Sequence, residues 1–288
     1  MRKKSLIRSR RSHKGDYGHV LVIAGSRTMT GAAYLVGQSA MRAGAGRVTI
    51  AVPKGLHAAL ARRVTETMTL PLPETRGGAL DYKSLKPLLD FAAKADAVVL
   101  GPGLSTEPST QRLVRALVLR LRCPLVLDAD GLNALKGKAA LLKRRKGPVV
   151  LTPHEGEFLR LLGRSAQLKP LERKGIAKRF SRHYHCILVL KGADTVVSDP
   201  RGLTVVNRTG NPGMASAGMG DVLAGCIGAL LGQGFDPFLA AKIAVYAHGK
   251  AGDLAAKSKG QTSLIASDVI QCLPRVFKAL EKKPNLLE

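Results

Sequence analysis

An aspartate at the start of an apolar helix, set among glycine, alanine and serine, can serve as a base beside an anion-binding site. Asn207 to Gly225 reads NRTGNPGMASAGMGDVLAG and places Asp221 in that setting. Four glycines precede the aspartate and one follows. The apolar run Val222 to Leu231 predicts a buried helix, so the glycines fall in the loop that opens it. Free N–H groups and the positive dipole end at a helix start suit an anion. A carboxylate there could equally cap the helix and do nothing more. A cap needs one short polar side chain, however, and here small residues extend over a dozen positions, which suggests room for a ligand.

Other polar clusters follow apolar runs in the same way. Leu100 leads into Gly101-Pro-Gly103, either a plain turn or a place where backbone meets ligand. Leu125 to Leu127 leads into Asp128, Asp130 and Asn133. These acids hold a loop or face a ligand, and the sequence leaves both open. Val149 to Leu151 leads into Thr152-Pro-His154-Glu-Gly-Glu157. Histidine is not the residue that a helix dipole favours at an N-terminus, and a lone one there is more often structural; because three polar strand ends point at the same edge, His154 reads as a ligand contact. Cys186 to Leu190 leads into Lys191-Gly-Ala-Asp-Thr195.

The elements that must position these residues alternate along the chain. Strands are predicted at His19–Ala24, Arg47–Val52, Ala95–Leu100, Pro124–Leu127, Pro148–Leu151 and Cys186–Leu190. Helices are predicted at 30–44, 57–64, 84–94, 109–122, 168–182, 222–231, 236–256 and 266–280, with a helix start at His154. Residues 69–78, rich in Pro and Gly, read as a connection. Val196–Ser198 and Leu203–Val206 read as a hairpin about Asp199-Pro-Arg-Gly. This alternation predicts an α/β fold with a largely parallel sheet and helices on both faces, as one domain over 15–288. The polar loops then share the carboxyl edge of the sheet, where open α/β sheets bind ligands.

The net charge of +26 over 288 residues is large. The Lys and Arg residues are spread along the whole chain, aromatics are scarce and Trp is absent. No nucleic-acid-binding motif appears and stacking platforms are lacking, so nucleic acid is not an expected partner. Residues 1–14 carry seven basic side chains and no apolar core of a signal peptide, and read as a solvated or loosely docked tail. No apolar run reaches the roughly 20 residues of a membrane helix. Cys123, Cys186, Cys226 and Cys272 are far apart, with no C-x-x-C pair, as expected of reduced thiols in a cytoplasmic protein without a structural zinc site.

Together the motifs resemble one family. Val22-Ile-Ala-Gly-Ser26, Leu100-Gly-Pro-Gly103, Leu127-Asp-Ala-Asp-Gly-Leu-Asn133, Leu151-Thr-Pro-His-Glu-Gly-Glu157, Lys191 to Thr195 and Gly210 to Asp221 stand in the order and spacing of the ADP-dependent NAD(P)H-hydrate dehydratases. The resemblance runs from Lys14 to Leu280 and implies a ribokinase-like fold. It implies repair of the S forms of NADH hydrate and NADPH hydrate, with ADP or ATP as phosphate donor, Mg²⁺ as cofactor, and AMP and phosphate released when ADP is used. By the same resemblance Ala40, Gly103, His154 and Asp221 contact the hydrate. Lys191, Gly192, Ala193, Asp194, Thr195 and Gly220 contact the adenine nucleotide, and Asp221 is the catalytic base. A homo-oligomer, a tetramer among the arrangements, is implied too. The family motif often reads Thr-Pro-His-Pro-Gly-Glu, and here Glu155 replaces the second proline. The epimerase domain often fused ahead is not seen, so epimerase activity is not expected. The rival reading is a small-molecule kinase of the same superfamily, acting on a hydroxymethylpyrimidine or a hydroxyethylthiazole, because it shares the Gly-x-Gly-Asp loop.

Overall fold

The computed structural model describes residues 5–163 and 169–282. Nine strands form one sheet: β1 (His19–Ile23), β2 (Arg47–Pro53), β3 (Met68–Leu72), β4 (Ala97–Leu100), β5 (Leu125–Leu127), β6 (Val149–Leu151), β7 (Ile187–Leu190), β8 (Thr195–Ser198) and β9 (Thr204–Asn207). Their order is β3-β2-β1-β4-β5-β6-β7-β8-β9. The seven strands from β3 to β7 in that order run parallel, and the β8–β9 hairpin closes one edge antiparallel. The helices are α1 (Thr30–Arg42), α2 (Lys54–Ala61), α3 (Leu85–Ala92), α4 (Pro108–Arg120), the single turn α5 (Asp130–Asn133), α6 (Glu155–Leu162), α7 (Arg173–Tyr184), α8 (Met219–Gly232), α9 (Pro237–Lys259) and α10 (Ala266–Lys282).

Side chains alternate across a strand, and here both faces are covered. Val20 and Val22 of β1 enter a core with α1, α2, α8, α9 and α10, while Leu21 and Ile23 enter a second core with α3, α4, α6 and α7. The continuous apolar runs in the sequence follow from that double burial.

The helix α8 lies in the middle of the first core, and every residue from Val222 to Gly232 is buried. Its glycines make this approach possible. A Cβ on Gly225 would stand 2.1 Å from Ser39 Oγ, and one on Gly228 would stand 2.3 Å from Val99 Cγ2. The small residues of α8 therefore serve close packing on α1 and the sheet. The same answer holds for α1, where a Cβ on Gly37 would meet Ile50 Cδ1 at 2.6 Å.

The structure differs from the sequence reading in two places. β3 occupies part of the expected connection. It pairs with β2 and forms the sheet's outer edge, the position where a strand tolerates Pro71. The helix expected at 168–182 is α7, preceded by a 3₁₀ turn at Pro170–Glu172; Leu168 lies outside the described residues. Residues 5–14 are mostly exposed and loosely docked, one of the two arrangements expected of this segment. Leu6 packs against the first core, and Arg8 donates to the Gly44 carbonyl at 2.8 Å while lying over the Tyr17 ring. Arg2, Lys3 and Lys4 lie outside the described residues.

Arg145 ties the second core together at its base. Its guanidinium donates to the carbonyls of Val118 (3.1 Å), Leu121 (2.8 Å) and Cys123. These join the end of α4 to the entry of β5. Burial pushes the Arg145 pKa down to about 10, so it stays charged at neutral pH. Arg145→Met keeps the apolar stem and removes every donor. It is expected to cost about 2–4 kcal/mol, because largely buried carbonyls lose their partners. A lower urea midpoint at unchanged m-value checks it.

Candidate active site

The parallel strands end in register. Ile23 faces Leu100, Leu100 faces Leu127, and Leu127 faces Leu151. The residues that follow, Gly101, Asp128 and Thr152, therefore stand side by side. β7 runs further, since Leu151 pairs with Leu188, so Lys191 overhangs this edge. Lys191 Nζ reaches Asp128 Oδ1 at 2.9 Å. Thr152 Oγ1 donates to the same oxygen at 2.8 Å, and Glu157 Oε2 lies 3.8 Å from Lys191 Nζ. Asp128 is 1% exposed, so one ammonium and one hydroxyl satisfy a carboxylate that water scarcely touches.

The turn after β5 is sharp. Ala129 has φ 46° and ψ −117°, a strained conformation for a residue with a Cβ. It sends the two flanking carboxylates different ways. Asp128 meets Lys191, while Asp130 accepts from the Ser105 amide (2.9 Å) and from Asn133 (3.0 Å).

The helix α8 opens onto this cluster. Its N-cap is Gly218 at φ 85°, which only glycine adopts without strain, and no side chain caps the helix. The first helical bond runs from the Val222 amide to the Gly218 carbonyl, so the amides of Met219, Gly220 and Asp221 precede it. Two other α-helices among the described residues carry a side-chain cap: His154 at the start of α6, and Asp236, which accepts from two amides at the start of α9. Asp221 sits in the first turn without capping it, so the capping explanation of this residue does not apply.

Burial pushes the Asp221 carboxyl up to about 7, and the negative charge of Asp128 adds to it; Lys191 opposes, while Asp130 and Glu157 reinforce. For Lys191, burial works against the ammonium, yet Asp128, Glu157, the hydrogen bond to Asp128 and Asp221 outweigh it and hold the pKa above the usual range. A charged Lys191 thus faces an aspartate poised to hold or release a proton near neutral pH.

The residues singled out in the sequence fall unevenly around this cluster. A Cβ on Gly220 would stand 3.1 Å from Lys191 Nζ, so these two belong together. Gly192, Ala193 and Asp194 form the exposed β7–β8 turn, where Thr195 Oγ1 donates to the Gly192 carbonyl at 2.9 Å. Gly103 (φ 65°) packs on the start of α1, where a Cβ would meet Met29 and Ala32. His154 is the N-cap of α6. Its Nδ1 accepts from the Gly156 and Glu157 amides at 3.1 and 3.4 Å, and Glu157 returns the bond to its backbone. That use of Nδ1 places the neutral ring's proton on Nε2, on a side chain that is 54% exposed. Ala40 is not brought to this edge. It is fully buried as the eleventh residue of α1, beside α8, about 15 Å along the helix from its start.

Arg173 and His248 were not singled out in the sequence, and Thr152, Glu155 and Glu157 were quoted there without a role. Arg173 donates to the carbonyls of Leu190 (3.2 Å) and Lys191 (2.9 Å) and to Glu155 (3.0 Å). It braces the β7–β8 turn against the start of α6, and Glu155, the departure from the family motif, supplies the carboxylate. Thr152 and Glu157 complete the surroundings of Lys191. His248 on α9 is hydrogen-bonded to the backbone of Met219; burial, reinforced by Lys191, pushes its pKa down to about 4, so it is neutral at pH 7.

Comparison with known proteins agrees with this arrangement. The NAD(P)H-hydrate dehydratase family model matches residues 20–275. The chain is 48% identical over 271 residues to the bifunctional NAD(P)H-hydrate repair enzyme of Moorella thermoacetica; the match covers 94% of this chain and 51% of that protein. The chain thus spans about half the length of such bifunctional relatives. It is 35% identical to the ADP-dependent (S)-NAD(P)H-hydrate dehydratase of Bacillus subtilis, covering 95% of this chain and 94% of the relative. A crystal structure of the ADP/ATP-dependent NAD(P)H-hydrate dehydratase of Bacillus subtilis, co-crystallised with ATP/Mg²⁺, superposes with a TM-score of 0.79 over 96% of this chain and 94% of that one, at 35% identity. Matched along most of its length by the family model and by a relative of its own size, this chain belongs to the NAD(P)H-hydrate dehydratase family.

Proposed function

We propose that the chain dehydrates the S forms of NADH hydrate and NADPH hydrate, using ADP or ATP as phosphate donor. With ADP the products are the reduced dinucleotide, AMP and phosphate. The observation that carries this reading is the uncapped start of α8 beside Asp221, whose pKa is pushed up to about 7. Hydroxide is a poor leaving group, and phosphate is a better one. Asp221 takes the proton of the hydrate hydroxyl as its oxygen attacks the donor's terminal phosphorus. The amides of Met219, Gly220 and Asp221 stabilise charge on the moving phosphoryl group. Electrons from the ring nitrogen then expel phosphate to leave an iminium, and loss of a proton from the neighbouring ring carbon restores the reduced nicotinamide.

Mg²⁺ fits the charges present. Asp128, Asp130, Glu157 and Asp221 act together on this cleft, with Lys191 as the cation among them. A polyphosphate needs a further cation to approach four carboxylates. When bound with the donor, Mg²⁺ would supply that charge, held mainly by the donor and water, since no group of three His, Cys, Asp or Glu able to hold a metal stands among the described residues.

Purified protein given NADH hydrate, Mg²⁺ and ADP or ATP should regain the near-ultraviolet absorbance of reduced nicotinamide. Donor-independent recovery, or a stable phosphorylated alcohol formed from a pyrimidine or thiazole substrate, would reject the reading. A cytoplasmic location and a homo-oligomer belong to the same proposal. Four free thiols support the first, and no described helix is long and apolar enough to cross a membrane. Fractionation and sedimentation test them.

His154 has two separable roles in this reading. His154→Ala loses the cap of α6, about 1 kcal/mol, and the ring. His154→Asn keeps a capping oxygen. Both variants should weaken hydrate binding more than ADP binding, and only the alanine variant should also lower the melting temperature. Equal loss of both ligands would remove His154 from the hydrate site.

A further inference from the structure

The basic residues are scattered in the sequence, and the fold gathers many of them. Between Pro108 and Leu127, between Gly131 and His154, and between Arg173 and Ala193 the chain contains no Asp or Glu. The far ends of these stretches meet at the entry to β5, β6 and β7, which are neighbours in the sheet. Arg145 fastens its segment to the end of α4, and Lys143 lies over the Tyr184 ring at the end of α7. Arg120, Arg122, Lys143, Arg144, Lys146 and Arg182 are all exposed there. Three neighbouring strands span about 10 Å, so six cations share a narrow band with no acid in the segments that carry them.

This band does not serve the cleft. Carboxylates occupy the opposite edge, where Asp128, Asp130, Glu157 and Asp221 follow strand or loop ends. α4 runs between the two edges, and its 13 residues span about 20 Å. Exposed charges are screened within roughly 8–10 Å at physiological salt. Collecting anionic substrates therefore does not account for the band.

We infer that the entry edge of β5–β7 is a docking surface for the phosphate backbone of a double-stranded nucleic acid. Four of the six side chains are arginines, whose planar fork takes phosphate bidentately. The nearby Tyr184 is partly buried and has its face covered by Lys143, so the unstacked bases of a single strand find no open platform. Of the described exposed large apolar residues, Leu203 alone borders the band, following Gly202 beside Arg182, and one side chain leaves a lipid surface with little anchoring wedge. The sequence pointed away from nucleic acid because its cations are dispersed along the chain; the fold removes that objection. Recognition here is by charge and is independent of base sequence and of the proposed enzymatic activity.

Fluorescence anisotropy of the full chain with a labelled duplex tests the inference. Six phosphate contacts predict a slope of log K against log salt of about −5, and about a 10³-fold loss of affinity from 50 to 200 mM salt. The variant carrying Arg122→Gln, Arg144→Gln, Lys146→Gln and Arg182→Gln should reduce that slope to about −2 and bind at least about 10²-fold more weakly at the low-salt end. Its melting temperature and its turnover of NADH hydrate should match the parent's, since all four side chains are exposed and remote from the cleft. Unchanged duplex affinity in the variant overturns the inference. So does binding of the parent to vesicles of anionic lipid without binding to duplex.

Discussion

Asp221→Asn is expected to leave the fold intact and to lower turnover by roughly 10²-fold or more, the range for loss of a positioned general base. The amide has nearly the shape of the carboxylate but cannot take the hydroxyl proton. The pH dependence follows from the same residue. With its carboxyl pushed up to about 7, the parent should gain activity as pH rises through neutrality and level off above it. The variant's small residual rate should lack that rise. Stability should move the other way. The folded protein keeps a proton on Asp221 that the unfolded chain releases near its ordinary value of 3.8. Between those two pH values the folded state binds more protons, so this group lowers stability as pH rises. At pH 8 the asparagine variant should therefore melt above the parent while turning over far more slowly. A variant with near-normal turnover, or one that melts lower at pH 8, would contradict the assignment.

Lys191→Met is expected to fail in both stability and binding. The methionine fills much of the space and leaves the Asp128 carboxylate, 1% exposed, with the Thr152 hydroxyl as its remaining side-chain donor among the described residues. Removing one partner of a buried ion pair costs about 3–5 kcal/mol, because the other charge remains desolvated. Adding Asp128→Asn should recover part of that stability. It should not recover ADP affinity, since the cation of the cleft is still missing. Calorimetry and ADP titration on the single and double variants separate the two effects. If the double variant binds ADP as the parent does, Lys191 has no part in nucleotide recognition.

The apolar runs made the parallel sheet and the edge that carries the polar loops legible from the sequence. The change from a glycine-rich loop to the run at Val222 marked the start of α8 as well. β3 was hidden because Pro71 and Pro73 argue against a strand, and only its place at the sheet edge makes Pro71 acceptable. His154 at a helix start looked like a ligand contact because a histidine cap is uncommon, and the Nδ1 acceptor role appears only with coordinates. Arg173 and Glu155 are 18 positions apart, and nothing in a basic helix signals that one of its arginines turns inward to hold two carbonyls. The small residues around Asp221, from Asn207 to Gly225, were read as space for a ligand, whereas Gly225, the last of them, is a contact point between α8 and α1.

The burial of α8 from Val222 to Gly232 has a kinetic consequence for the amides next to Asp221. Hydrogen exchange in the most enclosed element of a domain proceeds through global opening, whereas frayed ends and surface loops exchange through small local fluctuations. The turn that carries Asp221 is the first turn of that enclosed helix, so it is anchored to the slowest-exchanging part of the chain. Deuterium should enter α8 last, and loss of activity on heating should coincide with cooperative unfolding, without an earlier phase in which the protein is folded but inactive.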